Sequence, residues 1–417
     1  MKTATPTKFK ETDIGTIPEG WDVVKVADIT EKVAIGPFGS SIKVETFVGE
    51  GMPVISGQHL HGTRLEDGDY NFVTLDHAEK LRNSIVFRGD VIFTHAGNIG
   101  QVAYIPSTSK YNRYIISQRQ FYLRCNKEKL TPEFITYFFK APVGQHLLLS
   151  NKSQTGVPSI AQPVSHLRKI DVLLPPLNEQ KQISDILSAI DDKIELNRQI
   201  NANLEELAGS IFKERFLDSE LSKRGRIGSV TEICEFNPRY SLKKGRSFKY
   251  VEMKDLPEVG LSIKPPIQRD FKSGSKFTNN DTLLARITPC LENGKTGFVD
   301  FLNENEIAWG STEFIVMHPI EREFAEFLYI LARSENFREH AIQSMSGTSG
   351  RQRVQVNSLA DYKLTIPSKD AIFEYHRIAE SLFVQIRLNN DQSNNLVEIK
   401  NSLLPRLMSG KIRVSTT

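Results

Sequence analysis

The sequence predicts an α+β fold in which two pseudo-repeated α/β domains are separated by two long, antiparallel, coiled-coil-like helices. Three observations predict it: an internal repeat, a heptad stripe in each half, and short β-rich segments before each stripe. Ser165–Pro175 resembles Asn357–Pro367, and Asn197 falls on Asn389 at the same offset. A period this long indicates two copies of a whole module, because solenoid repeats are much shorter.

Each copy ends in a stripe of mainly apolar residues spaced alternately four and three apart, which is typical of a helix packed on another helix. In the first copy the stripe comprises Ile183, Leu187, Ile190, Ile194, Asn197, Asn201, Leu204, Ala208 and Ile211. In the second it comprises Tyr375, Ala379, Leu382, Ile386, Asn389, Ser393, Leu396, Lys400 and Leu403. Asn178 is the predicted cap of the first helix, and Pro405 is predicted to end or kink the second helix near Leu404.

Asn197 and Asn389 occupy the middle of their stripes. An interior Asn lowers the stability of a helix pair but fixes its register. We therefore predict an antiparallel pair in which Asn197 meets Asn389. The alternative is two separate amphipathic helices, each lying on its own domain.

The globular parts also repeat: Gly89–Ile105 resembles Asn280–Phe301, and Ser117–Arg124 resembles Ser311–His318. Apolar runs separated by Gly and Asn turns predict strands, with a curved antiparallel sheet in each domain. Short helices are predicted at Thr131–Leu148 and Glu321–Ile342. The predicted organisation is an N-terminal segment (1–20), two globular domains (21–176 and 218–367), a helical region after each (177–217 and 368–410) and a C-terminal tail (411–417).

Composition excludes several classes of protein. Apolar residues make up 39% and charged residues 25% of the 417-residue chain, as in ordinary globular proteins. No apolar run approaches the roughly 20 residues that span a bilayer, and the N-terminus lacks an apolar signal core, so we expect a cytoplasmic protein without a membrane partner. Cys125, Cys234 and Cys290 are far apart, which favours neither a disulfide framework nor a zinc site.

Catalytic signatures are also missing from the sequence. There is no P-loop motif, Gly36–Ser41 has the wrong spacing for a dinucleotide-binding loop, and Asn237–Tyr240 lacks the second Pro of an amino-methyltransferase loop. We therefore expect no catalytic, cofactor-binding or metal-binding residues. Basic segments at 80–124 and 223–295 flank a more acidic one at 178–220. Two similar but non-identical basic domains at the ends of a stiff rod suit the reading of DNA at two places.

The chain resembles the DNA-sequence specificity subunits of Type I restriction–modification systems over nearly its whole length. The matching segments are Ile17–Ile29, Ile35–Lys43, Gly89–Gly100, Leu173–Ile194, Phe236–Gly245 and Leu403–Ile412. The Pro-Pro-Leu-x-Glu-Gln start of the first long helix is the most specific of these features. At the matching place the second copy reads Thr365–Ile378, without the Pro-Pro and Glu-Gln features, which leaves open whether both docking sites for the modification subunits make identical contacts.

The resemblance implies that the globular parts are target recognition domains, each reading one half of a bipartite double-stranded DNA target. It implies two modification (methyltransferase) subunits as partners, to which restriction (translocase/nuclease) subunits add. S-adenosylmethionine, ATP and Mg are then expected on those partners, and this chain is expected to be non-catalytic. Two alternatives are a Type II methyltransferase or nuclease fragment with fused recognition domains, and a DNA-free assembly scaffold.

Candidate DNA-contacting residues are polar or basic and lie at predicted turns or strand ends, several at equivalent places in the repeat. In the first copy they are Ser40, Ser41, Lys43, Thr94, His95, Asn98, Gln118, Arg119, Gln154 and Gln162. In the second copy they are Arg239, Lys243, Lys244, Arg286, Asn293, Lys295, Thr312, Thr348, Arg351, Arg353 and Gln355.

Overall fold

A computed structural model describes residues 8–12, 15–39, 41–153, 156–219, 225–348 and 350–414. The chain forms two compact units. Unit 1 comprises Met1–Asp192 and Leu396–Thr417, and unit 2 comprises Lys193–Asn395. Each unit therefore contains one copy of the globular part and segments of both long helices.

The described strands of unit 1 form two four-stranded sheets and two strand pairs. They are β1 (Phe9–Thr12), β2 (Gly15–Pro18), β3 (Asp22–Lys25), β4 (Thr30–Ile35), β5 (Met52–Ile55), β6 (Asn71–Val73), β7 (Ile85–Phe87), β8 (Asp90–Thr94), β9 (Val102–Tyr104), β10 (Arg113–Ile116), β11 (Gln120–Cys125) and β12 (Asp171–Leu174). One sheet has the order β4-β11-β8-β9 and is antiparallel throughout. The other has the order β6-β5-β10-β7, in which β5 and β10 run parallel. An antiparallel sheet is therefore present as predicted, and this second, mixed sheet is an addition that the sequence did not predict.

Side-chain alternation along β8 and β11 builds two cores in unit 1. Phe93 and Phe121 point to the core shared with the helices, whereas their neighbours Ile92 and Tyr122 point to the core shared with the second sheet. All four are fully buried, because successive residues of a strand face opposite sides and both sides of this sheet are covered.

The described α-helices of unit 1 are α1 (Leu75–Lys80), α2 (Pro132–Lys140), α3 (Pro142–Leu149), α4 (Pro163–Lys169) and the first part of α5 (Leu177–Lys213). Helices α2 to α5 contribute to the core on one side of the antiparallel sheet, whereas Ala78 of α1 lies in a separate cluster with residues of the second sheet. The helix predicted at Thr131–Leu148 is two helices, because Pro142 disfavours a helical conformation at Ala141, whose backbone is extended.

Unit 2 repeats this arrangement. Its strands are β13 (Ile227–Ser229), β14 (Cys234–Phe236), β15 (Ser247–Val251), β16 (Ile267–Asp270), β17 (Ser275–Phe277), β18 (Thr282–Ala285), β19 (Thr296–Phe298), β20 (Ala308–Gly310), β21 (Phe314–Pro319) and β22 (Lys363–Thr365). The sheet β14-β21-β18-β19 is antiparallel, and the sheet β16-β15-β20-β17 again contains a parallel pair, β15 with β20. Its helices are α6 (Ala325–Arg333), α7 (Glu335–Gln343), α8 (Val356–Ala360) and most of α9 (Lys369–Met408).

The two long helices pack antiparallel within unit 2. Asn197 contacts Ser393 and Asn201 contacts Asn390, so that numbers rise along one helix as they fall along the other. Every residue of both predicted stripes is buried or half-buried, as a heptad seam requires. The α5 helix continues into a π-helical turn at Glu214–Asp218.

The predicted start of α5 is wrong, and α9 extends past the predicted end near Leu404, whereas the alternative of a kink at Pro405 stays a prediction. The α5 helix begins at Leu177, and Gln180 N donates to Pro176 O at 3.0 Å, so Asn178 lies inside the first turn instead of capping it. The α9 helix continues through Pro405 to Met408. Its last turn is held by Leu407 and Met408, both buried in the core of unit 1, and this packing offsets the backbone hydrogen bond that Pro405 cannot make.

The Glu-Gln pair that begins the first long helix is part of the interior of unit 1. Glu179 is 1% exposed and accepts hydrogen bonds from Trp21 Nε1 at 3.0 Å and from Arg413 Nε at 2.6 Å. Gln180 is fully buried and bonds to the backbone of the loop before α2. In unit 2 the position of Gln180 is taken by Ile372, which is buried in an apolar core. The sequence difference between the copies is therefore a difference in internal packing.

Within the described ranges, no helix is both long and apolar enough to cross a membrane.

Candidate nucleic-acid interface

Three loops meet beyond the end of β8 in unit 1. His95 N donates to Arg119 O at 2.9 Å, which joins the loop after β8 to the turn before β11. Ile160 N donates to His95 O at 2.8 Å, which joins the same loop to the segment before α4. Within that segment Ser153 N donates to Ser159 O at 2.7 Å. These backbone bonds hold the three loops in one fixed cluster.

The same frame recurs at the end of β18 in unit 2. Arg286 N donates to Glu313 O at 3.0 Å, and Val354 N donates to Arg286 O at 2.9 Å. Ser346 N donates to Arg353 O at 3.1 Å, as Ser153 does to Ser159. The structure therefore matches three positions that carry different side chains in the two units, namely His95 with Arg286, Arg119 with Glu313, and Ser159 with Arg353.

A polar cavity of about 450 Å³ opens beside the cluster in unit 1. Thr94 Oγ1 donates to Gln101 Oε1 at 3.1 Å, and Gln101 Nε2 donates to Gly57 O at 3.0 Å. Ser117 Oγ donates to Gln120 Oε1. Amide and hydroxyl side chains dominate the lining, together with the guanidinium of Arg119: they are Ser56, Gln58, Thr94, Asn98, Gln101, Ser117 and Gln120. Amides and hydroxyls both donate and accept, as the edges of bases do.

His95 is fixed as a neutral ring in this cluster. Its Nε2 lies 3.1 Å from Gln118 O and, because a carbonyl only accepts, Nε2 carries the proton. Burial lowers the pKa of His95. The ring therefore contributes shape and hydrogen bonding to unit 1 rather than charge.

Charged side chains fill the corresponding place in unit 2. Arg353 Nε lies 2.9 Å from Glu313 Oε2, and Arg353 Nη2 lies 2.8 Å from Glu313 Oε1. Arg286 Nη2 donates to Gln355 Oε1 at 3.1 Å. The hydrogen bonds from Arg353 lower the pKa of Glu313, so both members of the pair are charged at neutral pH.

The remaining predicted residues lie partly at and partly away from these clusters. Lys295 Nζ donates to Met253 O at 3.2 Å, as Gln101 does to Gly57 in unit 1, and Asn293 Nδ2 lies 3.3 Å from Glu258 Oε1. Thr312 is exposed next to Glu313, and Thr348 O accepts from Arg351 N at 2.9 Å in the loop before Arg353.

Within the part of the chain that the structure describes, several predicted residues make no hydrogen bond to the frame of their unit. Ser41 O accepts from His77 Nε2 at 2.7 Å, and Gln162 begins α4 with a left-handed backbone (φ 44°). These two, together with Lys43, Arg239, Lys243 and Lys244, stand at turns outside the hydrogen-bonded clusters. Ser40 and Gln154 lie outside the described residues.

Sequence reasoning missed Gln101, Gln120 and Glu313. Gln101 lies directly before β9 and Gln120 begins β11, and Glu313 is acidic whereas the predicted DNA contacts are polar or basic. The repeat itself held the signal for Glu313, since the resemblance of Ser117–Arg124 to Ser311–His318 places it on Arg119.

Known proteins share both the sequence pattern and the fold. A family model described as the Type I restriction modification DNA specificity domain matches residues 18–206. The Type I restriction enzyme MjaIX specificity subunit of Methanocaldococcus jannaschii is 25% identical, over 98% of this chain and 97% of its own length. The Type I restriction enzyme HindI specificity subunit of Haemophilus influenzae is 22% identical, over 78% of this chain and 87% of its own length.

A solved structure has a similar fold. The S subunit of a Type-I restriction-modification system from M. genitalium superposes with a TM-score of 0.58 at 16% identity, covering 95% of this chain and 97% of that chain. At this level of identity the comparison concerns the fold alone: two globular parts of mixed helices and strands, with long helices.

Proposed function

Because this chain belongs to the family of Type I restriction–modification specificity subunits, we propose that it is a non-catalytic DNA-recognition subunit whose two units each read one half of a bipartite target. One observation carries this proposal. A common backbone frame recurs in both units and carries different side chains, as at His95 and Arg286. A shared frame presents its loops in the same way, while different side chains at those loops select different bases.

Lysine and arginine side chains near the frames would provide the sequence-independent part of binding. Lys43 in unit 1 and Arg239, Lys243 and Lys244 in unit 2 are exposed at turns. Contacts from such residues to phosphates position a protein on the duplex and make its affinity fall with salt.

The long helices would set the length of the unread spacer between the two halves. In unit 2, Asn197 Nδ2 lies 3.0 Å from Gln392 Oε1, and Asn389 Nδ2 donates to Asn201 Oδ1 at 2.8 Å. In unit 1, Lys400 Nζ lies 2.5 Å from Asp191 Oδ1. Polar contacts inside an otherwise apolar seam favour a single register of the helices, and a fixed register is what a spacer of constant length requires.

The outer faces of the same helices would dock two modification (methyltransferase) subunits. Large apolar side chains are exposed there, namely Ile186, Val397 and Ile399 in unit 1 and Leu196, Leu207, Val384 and Leu388 in unit 2. Leu196 and Leu388 are 49% and 52% exposed. Exposed apolar residues along a helix are typical of contacts with a partner protein. In this proposal the partners bind S-adenosylmethionine, ATP and Mg, and restriction (translocase/nuclease) subunits add to that complex.

Footprinting of the chain bound to its modification subunit on target DNA tests the proposal. We expect two protected patches with an unprotected gap between them. The double variant Lys243→Ala, Lys244→Ala should weaken binding to all sequences and reduce the salt dependence by about two phosphate contacts. Lys369→Ala removes the same kind of charge at the start of α9 and serves as the control. Protection of a single continuous patch, or of none, would contradict the proposal.

A further inference from the structure

We propose that Arg353, held in place by Glu313, reads a guanine in the half-site bound by unit 2. The inference rests on the proposed function and adds the chemical identity of one base in the target. Arg353 would be the base-contacting residue and Glu313 a positioning residue that acts through it.

The backbone of Arg353 is fixed on both sides. Arg353 N donates to Ser346 O at 2.9 Å, and Arg353 O accepts from Ser346 N at 3.1 Å. On either side of it, Val354 N donates to Arg286 O at 2.9 Å and Thr288 N donates to Gln352 O at 3.1 Å. The loop that carries Arg353 is thus attached to the end of β18, so its side chain starts from a defined point.

The side chain of Arg353 is also fixed, but only along one edge. Glu313 accepts from Nε and Nη2, at 2.9 and 2.8 Å. No acceptor for Nη1 is present among the residues that the structure describes. A guanidinium has five N–H donors in one plane, so Nη1 and the second proton of Nη2 still point outward as a parallel pair. The Arg353 side chain is 39% exposed, which leaves this end open to a ligand.

Guanine fits this open end better than the other bases. In the major groove it presents two adjacent acceptors, N7 and O6, whereas adenine and cytosine each present a donor there and thymine presents one acceptor beside a methyl group. Two parallel N–H groups pair with two adjacent acceptors. Glu313 holds the guanidinium plane before DNA arrives, which lowers the entropy lost when the base is bound.

The comparison between the units makes the inference specific to one half-site. In unit 1 the positions of Arg353 and Glu313 are occupied by Ser159 and Arg119, and Arg119 has no carboxylate partner among the described residues. An arginine held by a carboxylate at this position is therefore a feature of unit 2. The inference of a guanine applies only to the half of the target that unit 2 binds.

The test is selection from a library of randomised DNA duplexes by the full chain in complex with its modification subunit. Wild type should select a bipartite sequence with a guanine in one half. Arg353→Ala should lower the preference for that guanine by about tenfold or more while all other positions stay the same. Arg353→Lys should lower it as well, because an ammonium group cannot make the bidentate contact. Glu313→Gln should weaken the preference at the same position. Arg377→Ala removes an exposed arginine of α9 that lies in neither loop cluster, and should leave the preference intact.

A change made in the DNA keeps the test independent of protein folding. Replacing the selected guanine by 7-deazaguanine removes the N7 acceptor. This change should weaken DNA binding by wild type about tenfold, and should leave DNA binding by the Arg353→Ala variant unchanged. An unchanged preference in Arg353→Ala, or unchanged wild-type binding to 7-deazaguanine, would overturn the inference. If wild type selects no bipartite sequence, the proposed function itself fails. If wild type selects a bipartite sequence but Arg353→Ala keeps the preference for the guanine, only this inference fails.

Discussion

The side-chain amide of Asn197 lies 3.2 Å from the backbone carbonyl oxygen of Asn389, in the middle of the seam between the two long helices of unit 2. Asn197 is fully buried and also reaches Gln392 and Ser393. The predicted meeting of the two Asn residues is thus present, and their role in setting the register stays a prediction.

Asn197→Ala should lower the free energy of unfolding by about 1–3 kcal/mol, because buried acceptors on the facing helix lose their donor. Asn203 is exposed on the same helix, and Asn203→Ala should change the free energy by less than about 0.5 kcal/mol. Urea unfolding of both variants gives the comparison. Equal losses in the two variants would show that the amide contacts contribute nothing specific.

A second prediction concerns pH. His318 Nδ1 lies 2.6 Å from Asp281 Oδ1 in unit 2, where unit 1 has Arg124 paired with Asp90. The hydrogen bond that His318 Nδ1 donates to the carboxylate of the buried Asp281 raises the pKa of His318. A raised pKa in the fold means that the pair stabilises unit 2 below the ordinary His pKa of about 6.5, and that this contribution is lost as the pH rises through the higher folded value.

We therefore expect the stability difference between wild type and His318→Gln to shrink as the pH rises from about 6 to about 8. Thermal melting at the two pH values measures this. His61 is exposed in unit 1, and His61→Gln should melt with the pH dependence of wild type. A His318→Gln variant with the full wild-type dependence would show that other groups cause it.

The third prediction concerns the C-terminal tail. Arg413 makes a bidentate ion pair with the buried Glu179, at 2.6 and 2.9 Å. Glu179→Ala leaves Arg413 and the indole N–H of Trp21 without this acceptor, and should destabilise unit 1 by about 3 kcal/mol. Glu206→Ala, at an exposed position of the same helix, is the control. Limited proteolysis locates the effect: cleavage should accelerate in unit 1, and acceleration confined to unit 2 would contradict the assignment.

The long helices could be predicted from sequence because their signal is local. Heptad spacing follows from the geometry of a single helix, and it predicts that Asn197 meets Asn389. The parallel pairing of β5 with β10 could not be predicted in this way, because it joins segments far apart in sequence and leaves no periodic trace. The start of α5 and the continuation of α9 past Pro405 could not be predicted for a related reason: beyond Pro405, burial of Leu407 and Met408 in the core of unit 1 decides where the helix ends.

The candidate site could be predicted only in part. The repeat pointed to the loops that carry His95, Arg119 and Arg286, and the structure brings these loops together in each unit. Residue type and position predict Arg353 alone, whereas its pairing with Glu313 depends on backbone contacts between two loops that are far apart in sequence. Such a cluster is defined by which side chains lie next to each other in the fold, and residue type alone does not identify its members.

The fourth prediction tests the spacer. One heptad inserted into each long helix, between Asp191 and Asn197 and between Asn389 and Lys400, keeps both stripes in phase. Seven residues add about 10.5 Å of helix, or roughly three base pairs of duplex at 3.4 Å each. Target selection should return the same outer bases with a longer gap. An insertion in α5 alone is the control, and it should destabilise the helix pair because the two stripes no longer match. Changed outer bases with a constant gap would contradict the proposal that the helices set the spacer length.

Methylome sequencing of cells that express this chain with its modification subunit tests the central claim most directly. The account predicts one methylated motif made of two short defined parts of different sequence, separated by a gap of constant length with no base preference. A continuous motif, two identical parts, or a gap of variable length would contradict the claim that two unlike units read the target at a set separation.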